Sequence, residues 1–514
     1  MPEARAAQSV SLPSPTAGWD TRESVANMPV DRSVNMDNWF PETEKVTSRR
    51  GSAVWSTGMT GAVETLIEYV AVDGSSALFA ANDGKLYDVT ATGAVGAAVV
   101  TGKTNDRWQT VAMGTAAGQY IRCFNGADAP LLYDGTTWAT TAITGSGLTA
   151  ANLIWGNIHQ NRMWFGEADS LDAWYFPVQT ISGAAIKFPL GGVFHLGGYI
   201  MAMGTWTRDA GSGQDDVAVF ITSEGECAVY QGTNPASAAA WGLVGNFHIG
   251  KPIGRRCFVQ AGGDLILVTQ DGFVPLSAIL VLDRSQAEKV ALSVQITEQV
   301  NAAVRSYSSV YGWQPIVYPK GTMLIFNIPL SATVSHQYVF NTITGAPCRF
   351  IGMNAICFSL LDDDMYFGGN DGRVYKFDTG TTDNPGGVAT NIICDVSQAF
   401  SYLGSPGMSK AFKEVEGVFE ANGNPSASVT LNLDFKIGPK TGLPSVNNAG
   451  TASAIWGVSS WGVGLWGSGS QIYKGWRGTR GRGRSVSTRV RLNNGTIRVS
   501  WLATNLLYVP GGPR

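Results

Sequence analysis

Four histidines, His159, His195, His248 and His336, are the side chains best suited to move a proton near neutral pH. They fall in different parts of the chain, and no two stand at metal-ligand spacing. The run Asp362-Asp363-Asp364, with Asp371 beyond it, offers oxygen ligands but lacks the regular alternation of a calcium loop. A charged hairpin explains it more simply. Asp134-Gly135-Thr136-Thr137-Trp138 has the residue types of a sialidase-type turn, but such a turn needs one residue between Asp and Gly, and its role is structural even there. There is no phosphate loop, no nucleophile elbow and no His-Glu-x-x-His. Paired carboxylates for glycoside hydrolysis cannot be chosen from sequence, because their separation is a property of the fold. Nothing in the residue pattern argues for catalysis, and no cofactor or metal is expected.

The clustered chemistry is cationic. Asp434 is the last acidic residue; after it come Lys436, Lys440, Lys474 and eight arginines, so this region carries +11 and the remainder −14, summing to the net −3. Within it, Arg477, Arg480, Arg482 and Arg484 form a tight series, and Trp456-Gly457, Trp461-Gly462 and Trp466-Gly467 precede them. A field of one sign favours a polyanion or an acidic protein surface, although solvated strand edges have the same composition. A spacing of five puts the three indoles on alternating faces of a strand and on no single face of a helix. They suit a projecting loop that meets a partner or packs back on its own domain. These seven residues are the candidates for partner or DNA contact.

The elements that must position them are β-strands. Asn82-Asp83-Gly84-Lys85-Leu86-Tyr87 returns as Asn370-Asp371-Gly372-Arg373-Val374-Tyr375, each copy between two apolar runs. Asp-Gly in that setting signals a hairpin. Weaker copies lie between: Tyr120–Phe124 with Leu131–Tyr133, Arg162–Gly166 with Ala173–Phe176, and Val217–Ile221 with Cys227–Tyr230. Leu265–Val268 with Phe273–Leu276 and Met323–Phe326 with Gln337–Phe340 follow. This makes about seven units of roughly 45 residues, the length of a four-stranded propeller blade. Low charge (15%) and 63 glycines fit a turn-dense all-β chain. The expected architecture is an N-terminal extended arm and first strand over 1–50, a β-propeller over 51–380, and a C-terminal β-sandwich or platform domain over 381–514 carrying the Trp-Gly loop. In that last domain Arg489 and Arg491 share one strand face and Val490 and Leu492 the other. One amphipathic helix, Ser293–Tyr307, is expected on the outside of the propeller, with Ile296, Val300 and Val304 inward and Ser293 as N-cap.

No apolar run nears the ~18 residues of a membrane span, and the start shows no basic segment followed by an apolar block. Neither membrane integration nor a secretory leader is therefore expected. The six cysteines have no paired spacing and sit mostly on strands, as small buried hydrophobes made in a reducing compartment would.

Val34-Asn35-Met36-Asp37-Asn38-Trp39-Phe40-Pro41-Glu42, followed by Arg49-Arg50-Gly51, resembles the opening of the tail nozzle proteins of short-tailed bacteriophages. These are also called tail hub or packaged-DNA stabilisation proteins. Ser409–Glu416, the Trp-Gly series and Gly481-Arg482-Gly483-Arg484-Ser485 resemble the family's C-terminal region. The resemblance implies a structural virion protein at the tail tip, synthesised in the host bacterial cytoplasm. It implies a homo-oligomeric sixfold ring below the head-to-tail adaptor, with tail fibres or spikes nearby. Double-stranded DNA would pass its channel, retained until the ring opens for ejection. Two alternatives stay open: a carbohydrate-binding or depolymerising propeller enzyme acting on host polysaccharide, and a simple propeller binding module.

Overall fold

A computed structural model describes residues 6–207, 216–279, 290–439, 442–447 and 470–513. The protein is all-β, with 52% strand and 6% helix, and its central part is a six-blade β-propeller arrangement. Every repeat recognised in the sequence becomes an antiparallel strand pair, as in Asn82↔Lys85, Cys123↔Leu131, Gly166↔Ala173 and Ile221↔Cys227. Six of these meanders form self-contained sheets, beginning at Thr65, Gln109, Leu153, Ile200, Phe258 and Ala355. The last is completed by Ser52–Thr57 from the start of the chain, which pairs with Val374–Phe377 and so closes the ring.

The count of about seven blades is corrected by the unit around Met323–Phe340. Its four strands, Gln314–Tyr318, Met323–Pro329, Ser335–Asn341 and Pro347–Phe350, do not make a separate blade. They are fused into a ten-stranded sheet through the parallel pair Asp37↔Arg349. Arg349 Nε donates to Asp37 Oδ1 at 2.7 Å and holds that seam. From there the sheet runs through Arg32–Asp37, Thr390–Gln398 and Val486–Asn494 to Ser428–Leu433. One hydrophobic core joins the two regions, from Phe273, Phe326 and Phe340 to Trp39, Val490 and Trp501.

The expected N-terminal arm is built into this C-terminal region. Gln8–Pro13 pairs antiparallel with Ala503–Tyr508 inside a seven-stranded sheet that also holds Trp39–Pro41, Val46–Ser48, Met408–Ala421 and Arg477–Gly483. A buried polar node ties the same segment to the propeller. Arg49 donates Nε to Asn38 Oδ1 at 2.7 Å and Nη1 to Asp383 Oδ1 at 3.0 Å, and a third donor reaches Ile351 O. Two residues on, Gly51 must be glycine, because a Cβ there would lie 1.9 Å from the Thr382 carbonyl oxygen.

The two copies of the leading phrase turn differently. Asp83 and Gly84 both take positive φ, 52° and 69°, the tight primed turn the sequence predicts. At the second copy only Gly372 does. Asp371 is drawn aside by hydrogen bonds from Tyr375 Oη at 2.6 Å and Arg373 Nη1 at 2.9 Å. The helix spans Thr297–Tyr307 after a 3-10 turn, with Ile296, Val300 and Val304 buried as expected. Ser293 is not its cap: Ile296 takes the N-cap position, and the Ser293 hydroxyl accepts the Phe273 N–H at 3.1 Å.

Candidate functional site

The strand Arg477–Gly483 lies beside Met408–Ala421, in register Lys410↔Gly483, Ala411↔Arg482 and Phe412↔Gly481. Its glycines have a steric cause. A Cβ on Gly481 would meet Leu433 Cδ1 at 2.4 Å, and one on Gly483 would lie 3.1 Å from the Asp434 carboxylate. Residues of that parity therefore face the end of the strand Ser428–Leu433 in the other sheet, and alternation sends Arg480, Arg482 and Arg484 outward. All three are exposed, at intervals of about 7 Å along the strand. Arg480 and Arg482 make no ion pair among the described residues. The end of the row is pinned by its backbone. Asp434 Oδ1 accepts the N–H groups of Arg484 and Ser485, and buried Lys410 donates to the Arg484 carbonyl at 2.9 Å.

Arg477 differs from its three companions. It lies beyond a register shift in the pairing with Met408–Ala421, and its Nη1 donates to the Ala427 carbonyl at 2.7 Å. Trp456, Trp461 and Trp466 lie outside the described residues. The basic field is also smaller than its formal charge. Arg489 is held by Asp395 through two hydrogen bonds of 2.8 and 2.7 Å, both side chains about 5% exposed or less. Arg491 is buried, with Nη1 on the Gly442 carbonyl. Arg498 pairs with Glu42 at 3.2 Å. Arg489 and Arg491 do share one strand face, but the carbonyls of Gly438, Pro439 and Gly442 take up their guanidinium donors there, and both are buried.

A second polar site lies on the propeller axis, built from residues that no sequence motif marks. A cavity of about 810 Å³ opens there, lined by Glu64, Asp106, Arg107, Asn125, Arg255 and Tyr311 among others. Another, of about 480 Å³, continues along the first strands of all six sheets and Gln314. Arg255 and Arg256 line both and stand between them. Arg256 crosses the axis: its guanidinium donates to Thr65 Oγ1 at 2.7 Å, Gln314 Oε1 at 3.2 Å, and the carbonyls of Glu64 and Trp108. Tyr311 Oη donates to the same Glu64 carbonyl, and its ring lies 4.4 Å from the Arg107 guanidinium and 5.6 Å from that of Arg256. In the second cavity the Glu68 carboxyl is pushed up to about 7, by burial and then by Asp362 and Asp363.

Several of the residues first considered for chemistry have structural roles. His159 is buried, its Nδ1 3.4 Å from Thr205 Oγ1 and its ring edge-on to Trp241, and burial lowers its pKa to about 4. Asp134 Oδ1 accepts the Thr136 and Thr137 N–H groups and makes a turn. Asp362 and Asp363 form a turn with positive φ, and Asp364 pairs with Lys320 and Lys376. All six cysteines are free and buried. Among the described residues no three His, Cys, Asp or Glu side chains gather as a metal site.

No family model matches the chain, and no curated protein matches it. Solved structures resemble it at low values. BBS1N in complex with ARL6DN gives a TM-score of 0.38 at 9% identity over 64% of this chain and 99% of that one. The computationally designed Ika8 protein gives 0.36 at 10% over 64% and 98%. YCF48 bound to D1 peptide gives 0.35 at 8% over 69% and 99%. These likenesses bring no activity and no residue role to this chain.

Proposed function

We propose that this chain is a non-catalytic virion protein, the protomer of the distal tail nozzle, or tail hub, of a short-tailed bacteriophage. In this reading copies assemble as a sixfold ring beneath the head-to-tail adaptor, with fibres or spikes docked nearby. The ring extends the DNA channel, retains the packaged genome and opens for ejection. The strands from Thr390 to the C-terminus serve as the platform from which neighbours are held.

The observation that carries the proposal is the outward row Arg480, Arg482 and Arg484, aimed by glycines and held on a rigid sheet. A cyclic ring needs two different surfaces on each protomer. A cationic row at the C-terminal end of a chain whose remainder carries −14 provides one such pair. Two further observations agree. The phrases Trp39-Phe40-Pro41, Ser409–Glu416 and Gly481–Arg484, on which the family resemblance rests, come together in one seven-stranded sheet. The propeller axis is crossed by Arg256, so DNA would pass between copies and not through a propeller.

The test is a virus carrying Arg480→Gln, Arg482→Gln and Arg484→Gln together. The expected result is heads that lack nozzles and lose their DNA, while the isolated protein melts as wild type. Normal tails on that virus would overturn the assembly role of the row.

A further inference from the structure

The axial cavity that opens at Glu64, Asp106 and Arg255 shares no residue with the arginine row, and its chemistry is specific. Arg255 is the unusual member. Its Nη1 donates to the Asn125 carbonyl at 3.2 Å, and no carboxylate stands within ion-pair distance among the described residues. The position is built for it: Gly126 has φ of 75°, and a Cβ there would lie 3.3 Å from Arg255 Nη1 and 3.5 Å from Nη2. The other two arginines are engaged. Arg107 pairs with Glu64 at 3.3 Å, and Arg256 spends its donors on Thr65, Gln314 and two carbonyls. Arg255 thus brings a half-buried positive charge to the cavity wall, with hydrogen-bond donors left over.

The remaining lining restricts what can meet that charge. Glu64, Asp83 and Asp106 border the same space beside Lys103, Arg107 and Arg256, so the charge is near balance: it suits a ligand with a single carboxylate, whereas a di- or triphosphate would have to sit against three carboxylates. Those carboxylates and the exposed hydroxyls of Ser308 and Ser309 instead suit a ligand rich in hydroxyl donors. No aromatic face is free for stacking, because Tyr311 lies between two guanidinium groups and Trp313 is buried with Nε1 on the Tyr307 carbonyl. This disfavours nucleobases and aromatic ligands. At about 810 Å³ the cavity is in the range of small-molecule sites, roughly 300–1,000 Å³.

We propose that this cavity binds a uronic acid, a sugar with one carboxylate and several hydroxyls, with its carboxylate on Arg255 and its hydroxyls on Glu64, Asp106 and the rim serines. The assignment stands independently of the tail reading.

Saturation-transfer NMR on the full chain tests this with D-glucuronate and D-galacturonate, using D-glucose and inorganic phosphate as comparators. At least one uronate should bind, and glucose and phosphate should bind about tenfold more weakly or not at all. A charged hydrogen bond is worth about 1.5–3 kcal/mol, so Arg255→Gln should weaken the uronate at least about tenfold. Ser309→Trp, at an exposed rim position, should block the cavity without touching Arg255, and decides the matter should Arg255→Gln fail to fold. Failure of both uronates to bind would overturn the proposal. So would phosphate binding as tightly, or uronate binding that survives in folded Arg255→Gln or in Ser309→Trp.

Discussion

Arg489 and Arg480 lie nine residues apart on successive strands of the basic C-terminal region, and their surroundings are opposite. Arg489 is enclosed, with Nε and Nη2 on the two oxygens of Asp395 and Nη1 on the Gly438 carbonyl. Arg480 stands on an open strand face with no ion pair among the described residues. Arg49 repeats the first arrangement at the junction of propeller and C-terminal sheets, with Asp383 as its partner. Sequence charge therefore divides into two kinds. Enclosed arginines fix how the sheets join, and Arg480 and Arg482 stand open to another molecule. A buried pair is expensive to break because the abandoned partner keeps its charge without water. An exposed arginine costs the fold almost nothing to lose.

The largest expected effect is at the junction. Arg49→Ala leaves Asp383 buried and should destabilise the protein by about 3–5 kcal/mol in denaturant unfolding. The double variant Arg49→Met, Asp383→Leu should recover much of that loss, since an apolar pair of similar volume is often neutral. Arg489→Ala should behave like Arg49→Ala, and a loss below about 1 kcal/mol would remove it from the enclosed class.

Next comes the glycine support of the exposed row. Gly481→Ala presses on Leu433 and should cost about 1–3 kcal/mol, whereas Gly478→Ala meets nothing within 4 Å and should be tolerated. Equal melting temperatures for the two variants would contradict the steric account of the Gly-Arg alternation.

A smaller effect is pH-dependent. Glu68 has a folded pKa of about 7 against an ordinary 4.5, so the native state holds a proton that the unfolded chain has already lost. Its contribution is fully present below about 4.5 and is lost as pH rises through 7. After allowance for solvent screening, Glu68→Gln should exceed wild type by about 1 kcal/mol at pH 8, with the difference vanishing near pH 4. Thermal melts across that range read it directly. Smallest of all, the triple glutamine variant of Arg480, Arg482 and Arg484 should unfold within about 0.5 kcal/mol of wild type.

Local pattern made the strands legible. Apolar runs around Asp-Gly, Asn-Gly and Glu-Gly placed the repeated pairs, because hairpin partners are close in sequence. What stayed hidden is long-range. Pairing of Asp37 with Arg349 and of Thr390–Gln398 with Val486–Asn494 leaves no periodicity behind, so the merging of one expected blade into the C-terminal sheet was not readable. Alternation at Arg489, Val490 and Arg491 gave two faces correctly but not that both are covered. Ser293 looked like a cap because its hydroxyl precedes an apolar stripe, yet a strand N–H from Phe273 claims it. The Gly-Arg alternation at 481–484 was visible, and the structure adds its cause. The axial site was invisible, because its residues come from separate segments around Glu64, Asp106, Asn125, Arg255 and Tyr311. Adjacent Arg255-Arg256 before an apolar strand is the single local hint.

The central claim is a place in a virion, and immunogold electron microscopy on purified virions tests it most directly. Antibody raised against this chain should place gold at the distal end of the tail. Virions that carry the chain nowhere, or carry it only in the head, would contradict the nozzle reading.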